Sequence, residues 1–160
     1  MINRVGFGGG CHWCSEAIFD SLIGISKVEQ GWISAKEDKS FSEAVIVEFN
    51  SNIISLEALI KIHLYTHNST SSHKFRAKYR SAIYCFNTKQ KALVEDILKE
   101  QAEHFSKPLV TKAYTFLEFK LNKKEYLNYY KNNPNRPFCK ARIEPKLNIL
   151  LKQFSKYYRS

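Results

Sequence analysis

The spacing of apolar residues along the chain predicts a mixture of strands and helices. Val45, Val47 and Phe49 alternate with other residues, as is typical of a strand with one buried face. Leu56, Leu59, Ile60 and Leu64 follow the spacing of a buried helical stripe, and Ser55 before them is a good N-cap. The predicted strands cover residues 3–7, 25–33, 43–49, 81–86, 109–112 and 116–120. The predicted helices cover residues 11–22, 56–64, 87 to about 104, 123–131 and 145–158.

The first elements come in the order strand, helix, strand, strand, helix, strand. This is the order of a split βαβ, or ferredoxin-like, unit, which packs helices on one face of a mainly antiparallel sheet. We therefore predict an α+β, two-layer sandwich with an irregular C-terminal extension. No internal repeat or linker interrupts the sequence, so we expect one domain over residues 1–160.

Composition narrows the class of protein further. Hydrophobic residues make up 44% of the chain, enough for a sizeable core, but no run approaches the length of a membrane span. No basic and apolar leader opens the sequence, and we expect a cytoplasmic monomer. The net charge of +10 comes from scattered residues, which favours a solvated basic surface over a nucleic-acid site. Four cysteines in such a chain indicate catalysis or metal binding rather than structural disulfides.

The segment Gly8-Gly9-Gly10-Cys11-His12-Trp13-Cys14 carries the strongest chemical signal. It joins the first predicted strand to the first predicted helix, so Cys11 comes at free backbone N–H groups and the positive end of the helix dipole. That setting stabilises a thiolate and makes a cysteine nucleophilic. Cys14 lies three residues further on, on the same helix face and within disulfide reach. The segment predicts redox or nucleophilic sulfur chemistry.

Several segments together resemble the A-type peptide methionine-S-sulfoxide reductases. The Gly10-Cys11-His12-Trp13 segment resembles the family's Gly-Cys-Phe-Trp, and Glu16 follows as in the family. The other matching segments occur in family order and span nearly the whole chain: Gly24-Ile25, Gly31-Trp32, Ser42-Glu43-Ala44-Val45, Ile54-Ser55-Leu56-Glu57, His67-Asn68-Ser69-Thr70, Tyr79-Arg80-Ser81, Asn133-Pro134, Phe138-Cys139 and Pro145-Lys146-Leu147.

This resemblance implies an enzyme that reduces methionine-S-sulfoxide, free or in proteins, without a cofactor or metal. Cys11 would attack the sulfoxide sulfur and become a sulfenic acid. Glu43 would be the acid that protonates the sulfoxide oxygen, and Tyr79 would donate a hydrogen bond to that oxygen. Trp13 would form the pocket for the S-methyl group, and His12, in place of the family's usual Phe, would also contact substrate.

The resemblance further implies that a second thiol condenses with the sulfenic acid and that an external dithiol, thioredoxin or dithiothreitol, reduces the disulfide. Cys139 matches the family's recycling cysteine, and Cys14 is the other candidate. Cys85 lies in an apolar strand, and we interpret it as a core residue.

The chain departs from the family on the side that holds the substrate. The connection 34–42 is shorter than the family's loop and contains no Tyr, and Lys74 replaces an Asp that helps to hold the substrate amide. We expect the reduction chemistry to be retained and substrate recognition to be altered. Lys74, Arg76 and Lys78 would favour an acidic peptide context.

Three alternatives stay open from the sequence. Cys11 and Cys14 could form the redox pair of a thioredoxin-like dithiol oxidoreductase. Cys11, His12 and Cys14, with His67 or His73, could bind a metal, although one C-x-x-C is a weak zinc signal. The basic charge could belong to a nucleic-acid-binding domain that has lost catalysis.

Overall fold

The computed structural model describes residues 2–71 and 78–159. The strands are β1 (Ile2–Gly8), β2 (Ile25–Ala35), β3 (Ser42–Asn50), β4 (Ala82–Cys85) and β5 (Lys112–Leu121). The helices are α1 (His12–Asp20), α2 (Leu56–Thr66), α3 (Thr88–Ala102), α4 (Tyr129–Asn132) and α5 (Glu144–Gln153). Short 3-10 turns cover Lys124–Tyr126 and Ser155–Tyr157, and a π-helical turn covers Cys139–Ile143.

The strands form a closed barrel in the order β1-β3-β2-β5-β4. The path β4-β1-β3-β2 is antiparallel throughout and has the predicted split βαβ order. The α+β class is confirmed, but the open ferredoxin-like sandwich is wrong, because β5 pairs with β2 on one side and runs parallel to β4 on the other. One strand thereby occupies both free edges of the predicted sheet.

The fifth strand also replaces two shorter elements of the prediction. The segments 109–112 and 116–120 were expected to be separate strands, but β5 runs without interruption over Lys112–Leu121. Its N-terminal half pairs with β4 and its C-terminal half with β2, where the register shifts between Ser34 and Ala35. A strand that changes partner along its length shows no single alternation of apolar residues, which explains the wrong division.

Buried side chains form two clusters, one on the outside of the barrel and one inside it. Side chains of Val5, Phe7, Val47 and Ile83 join α1, α2 and the C-terminal segment in the main core. The opposite faces of the strands turn inward and form a second cluster, which consists of Ile33, Ala35, Ala44, Ile46, Ala82 and Tyr84. Three of its six members are alanines, which leave room beside them for Ile33, Ile46 and the fully buried Tyr84.

Capping side chains begin two helices where the sequence predicts them. Ser55 Oγ accepts a hydrogen bond from the Ala58 N–H at 3.0 Å, and Asn87 Oδ1 accepts one from the Gln90 N–H at 2.7 Å. Each bond satisfies a backbone donor that has no partner inside its helix.

The C-terminal elements differ from the prediction. A helix over 123–131 is wrong, since Asn128 has φ 55°, in the left-handed region, and separates the 3-10 turn from the short α4. The terminal helix, predicted over 145–158, begins at Glu144 and ends at Gln153. No helix in residues 2–71 or 78–159 has both the length and the apolar composition required to cross a membrane.

Candidate active site

An open cleft of about 630 Å³ lies where the start of α1 meets the β2–β5 side of the barrel. It brings together predicted site residues that are far apart in the sequence. Its lining consists of Cys11, His12, Trp13, Trp32, Glu43, Lys78, Tyr79, Lys120, Leu121, Asn122, Lys123, Tyr126 and Phe138.

Cys11 is the N-cap of α1, in extended conformation at φ −61° and ψ 131°. The chain reaches it through Gly9, whose φ of 146° a side chain rarely adopts and where a Cβ would lie 2.5 Å from the His67 ring. Among the residues that the structure describes, nothing outside its chain neighbours lies within 4 Å of the Cβ position at Gly10. The glycines therefore allow the sharp turn and leave the thiol partly exposed to the cleft.

The Cys11 and Cys14 thiols interact with each other. This interaction raises the pKa of Cys11 and lowers the pKa of Cys14, which the positive charges of Lys146 and Arg142 lower further. Two such thiols titrate as a pair. The expectation that the helix start lowers the pKa of Cys11 itself is wrong, because it is the pKa of Cys14 that is lowered. Cys14 is buried and Cys11 lines the cleft, so Cys11 is the sulfur that a substrate can meet.

Glu43 lies near the start of β3 and is 7% exposed. Its Oε1 accepts a hydrogen bond from the His12 backbone N–H at 3.2 Å, which ties it to the first turn of α1. His12 Nε2 lies 3.5 Å from the same oxygen, and Lys78 Nζ lies 3.6 Å from Oε2. The carboxyl group is therefore fixed between α1 and residue 78, at the wall of the cleft.

Hydrogen bonds between residues 78–80 and the start of β3 place Tyr79 in the cleft. The Lys78 carbonyl accepts bonds from the Glu43 N–H at 3.0 Å and from Ser42 Oγ at 2.8 Å. Ser42 Oγ in turn accepts a bond from the Arg80 N–H at 2.7 Å. Tyr79 and then Glu43 raise the pKa of Lys78. The predicted acid and the predicted hydroxyl donor thus line the same cleft.

Trp13 forms the aromatic wall of the cleft. Its ring stacks on Tyr129, with centroids 3.9 Å apart and an interplanar angle of 5°, and Phe138 meets it edge-on at 5.3 Å. Tyr126 stacks more loosely at 5.8 Å and is 38% exposed. The apolar wall therefore depends on the C-terminal segment as well as on α1.

The remaining cysteines lie in the core. Cys139 is fully buried at the start of the π-helical turn, in the same cluster as Cys14, and its Sγ–H contacts the Asn133 carbonyl at 3.5 Å. Burial raises the pKa of Cys139. Cys85 is buried in β4, as predicted, and burial raises its pKa to about 12. All four cysteines are free thiols.

The proposed metal ligands do not converge among residues 2–71 and 78–159, where no group of three or more His, Cys, Asp or Glu side chains could hold an ion. His67 instead bonds to Ser81 Oγ at 2.8 Å behind Gly9. His73, Lys74 and Arg76 lie outside the described residues, so the predictions on them stay predictions.

Comparison with known proteins identifies the family of the chain. The model of the family described as peptide methionine sulfoxide reductase matches residues 3–158. The chain belongs to this family.

Relatives in the family are similar to the chain over most of its length. The peptide methionine sulfoxide reductase MsrA of Campylobacter jejuni is 31% identical and covers 91% of this chain and 96% of its own. MsrA of Deinococcus radiodurans is 32% identical over 88% of this chain and 77% of its own. Among solved structures, reduced Mxr1 from Saccharomyces cerevisiae superposes with a TM-score of 0.78 over 99% of this chain and 93% of its own, at 17% identity. That likeness supports the fold.

Several cleft residues of this family member had no role assigned from the sequence. Trp32 and Phe138 belonged to matching segments, but nothing in those segments indicated that they line the same cleft as Cys11. Tyr126 and Asn122 had no sequence signal, because the irregular segment after β5 brings them to the cleft. A resemblance built on short motifs finds the residues inside those motifs and misses such neighbours.

Proposed function

We propose that this protein reduces methionine-S-sulfoxide, free or in proteins, to methionine. The observation that carries the proposal is the presence of Cys11 and Glu43 in one cleft, linked through the His12 N–H. Thiolate attack on a sulfoxide needs a proton at the oxygen, and this arrangement supplies a nucleophile and a proton donor to the same bound group.

In the proposed first step, the Cys11 thiolate attacks the sulfoxide sulfur. Cys11 Sγ forms a bond to that sulfur while the oxygen receives a proton from Glu43. The hydroxyl group then passes to Sγ as the bonds from the methionine sulfur to Sγ and to oxygen break, which leaves Cys11 as a sulfenic acid and the substrate as methionine. The sulfoxide gains two electrons and the cysteine sulfur loses them. Tyr79 would donate a hydrogen bond to the oxygen, Trp13 would pack against the S-methyl group, and His12 would contact the substrate next to them.

In the proposed second step, another thiol attacks the sulfenic acid, which releases water and leaves a disulfide. Cys14 is placed to do this first, because its thiol interacts with that of Cys11. Cys139 lies in the same core cluster as Cys14 and can take over the disulfide by exchange. We therefore propose that Cys14 attacks the sulfenic acid first and that Cys139 acts after it.

An external dithiol then reduces the disulfide, and no bound cofactor is required. A structure of the related Mxr1 in complex with Trx2 supports thioredoxin as this reductant, and dithiothreitol would replace it in the test tube. Oxidised proteins and free methionine sulfoxide are the proposed partners on the substrate side. The cytoplasmic location and the monomeric state stay predictions.

Basic side chains at the mouth of the cleft support a preference for acidic peptides. Lys78, Lys120 and Lys123 line it and are exposed. Positive charge around an opening attracts acidic segments from a distance. We therefore extend the sequence-based expectation for Lys78 to the two lysines at the end of β5.

The test is reduction of a methionine-S-sulfoxide peptide and of its R diastereomer, with thioredoxin as reductant. We expect turnover of the S form alone, loss of activity in Cys11→Ser and strong loss in Glu43→Gln. Cys14→Ser should slow recycling but not the first turnover, and Cys139→Ser should do the same to a smaller extent. Cys85→Ser, in the core away from the cleft, is the matched control. Full activity of Cys11→Ser would overturn the proposal.

A further inference from the structure

His12 contacts the proposed acid through its ring as well as through its backbone. Its Nδ1 lies 2.7 Å from the Gly31 carbonyl, and its Nε2 lies 3.5 Å from Glu43 Oε1. Because a carbonyl oxygen only accepts hydrogen bonds, Nδ1 carries a hydrogen. In the neutral ring Nε2 is then an acceptor, and it faces the carboxyl group of Glu43.

The surroundings hold the ring in that orientation. His12 is 4% exposed, and the Trp32 ring meets it at 5.1 Å. Asn122 Nδ2 lies 3.4 Å from Nε2 and bonds to Gln30 Oε1 at 2.6 Å. A Cβ at Gly31 would lie 1.9 Å from the Lys120 carbonyl, so β2 and β5 are in close contact where the Gly31 carbonyl binds the ring.

We propose that His12 shares with Glu43 the proton delivered to the sulfoxide oxygen. This inference rests on the proposed function. With the proton on Glu43, its O–H donates to Nε2, and with the proton on Nε2, the imidazolium donates to the carboxylate. Phe, the family's usual residue at this position, would leave the backbone N–H bond and remove the second base.

The proton balance of the first step closes within the site. The proton that leaves the Cys11 thiol can be taken up by the pair of Glu43 and His12, and the same pair then protonates the sulfoxide oxygen as its bond to sulfur breaks. The oxygen keeps that proton in the sulfenic acid. No further reactant is needed in this step.

Several charged or titratable groups face the pair. Lys78 and Tyr79 approach from the segment before β4, the Cys11 and Cys14 thiols from α1, and Lys120 and Lys123 from the end of β5. Burial lowers the pKa of His12, and Glu43 only partly opposes this. The ring is therefore neutral at neutral pH, with Nε2 unprotonated and 3.5 Å from the Glu43 carboxyl group.

The first experiment compares the pH profile of a single turnover, measured as methionine formed after rapid quenching without reductant. The variants are His12→Phe and His12→Gln, with His104→Gln, an exposed histidine after α3, as control. The rate of the single turnover should decrease at high pH, where Glu43 and His12 together lose their shared proton. In both His12 variants we expect this decrease to begin about one pH unit lower than in the wild type. At alkaline pH the variants should therefore be about tenfold slower than the wild type. Profiles that superimpose on the wild type overturn the inference.

The second experiment needs no turnover. The His12 ring is followed by NMR in protein labelled with 13C-histidine, with its signal assigned by its loss in His12→Gln. We expect the pKa of His12 to fall in Glu43→Gln, and an unchanged titration overturns the inference. A wild type that reduces no sulfoxide at any pH overturns the proposed function instead, while this titration still decides whether the two groups share a proton.

Discussion

Replacing Glu16 by Gln tests how a buried carboxylate connects α1 to the wall of the cleft. Glu16 is 5% exposed, and its Oε1 accepts bonds from Gln30 Nε2 at 2.9 Å and from the Tyr129 N–H at 3.1 Å. Its Oε2 accepts a bond from the Asn128 N–H at 3.0 Å. These bonds hold the segment whose Tyr129 stacks on Trp13.

The direction of the change in stability with pH follows from the pKa of Glu16. Burial raises the pKa of Glu16 above its ordinary 4.5, and the accepted hydrogen bonds only partly oppose this. A carboxyl group with a raised pKa in the folded state contributes stability below its unfolded pKa and loses it as the pH rises through the folded pKa. The wild type should therefore lose stability relative to Glu16→Gln from pH 4.5 upward.

The expected change in the free energy of unfolding is a difference between two large contributions, hydrogen bonding and desolvation. Three hydrogen bonds to a charged acceptor contribute about 1.5–3 kcal/mol each, and desolvation of the carboxylate costs several kcal/mol. Gln keeps one carbonyl for Gln30 and Tyr129 and loses the bond to Asn128. At pH 7.5 the free energy of unfolding of Glu16→Gln should therefore differ from that of the wild type by no more than about 2 kcal/mol, and the variant should be about as stable as the wild type or more stable. Glu16→Ala, which removes every acceptor, should cost more than about 3 kcal/mol.

The assay is urea unfolding at several pH values between about 4.5 and 8, with exposed Glu125→Gln as the matched control. The free energy of unfolding of the wild type minus that of Glu16→Gln should fall as the pH rises, while the Glu125 control should show no such trend. A difference that grows in favour of the wild type would refute the reasoning. The KM for a sulfoxide peptide should rise in Glu16→Ala, because the aromatic wall loses its anchor, and stay close to the wild-type value in Glu16→Gln.

Other changes test the cleft and the barrel. Lys123→Glu should lower kcat/KM about two- to fivefold for a peptide flanked by acidic residues and leave a neutral peptide unchanged; an effect that persists at about 0.5 M salt would contradict this. Trp13→Ala should cost about 3 kcal/mol in urea unfolding and raise KM, because it removes the stacked ring. Gly31→Ala puts a methyl group 1.9 Å from the Lys120 carbonyl and should cost at least about 1–3 kcal/mol. Gly10→Ala should be nearly neutral in stability, because no described residue outside its chain neighbours lies within 4 Å of its Cβ position.

The first part of the fold was predictable because its signals are local. Alternation in β3, the Ser55 cap of α2 and the Asn87 cap of α3 each depend on residues close in sequence. Closure of the barrel was not, since β5 pairs with β2 and β4 through backbone hydrogen bonds that leave no side-chain pattern. The left-handed Asn128 likewise gives no periodic signal, and it breaks a helix that apolar spacing alone would continue.

The residues of the candidate site were likewise predictable where they belong to local motifs and unpredictable where they depend on the fold. Cys11, Trp13 and Cys14 belong to one short motif, and Glu43 and Tyr79 came from matching segments that the structure brings to the same cleft. Their roles stay proposals. What the sequence could not give was the contact between His12 and Glu43, which depends on the antiparallel neighbours β2 and β3 and on the carbonyl of Gly31.

A continuous path of buried polar contacts joins the two halves of the cleft. Glu16 binds Gln30, Gln30 binds Asn122, and Asn122 approaches His12, which contacts Glu43. Each polar group in such a path orients the next, and removing one leaves its buried neighbours without a hydrogen-bond partner. The aromatic wall, which Glu16 anchors, and the proposed proton donor, which His12 orients, are therefore held by the same network. A change at Glu16 should reach Glu43 through this network, and the pH profile of the single turnover is where that effect would be measured.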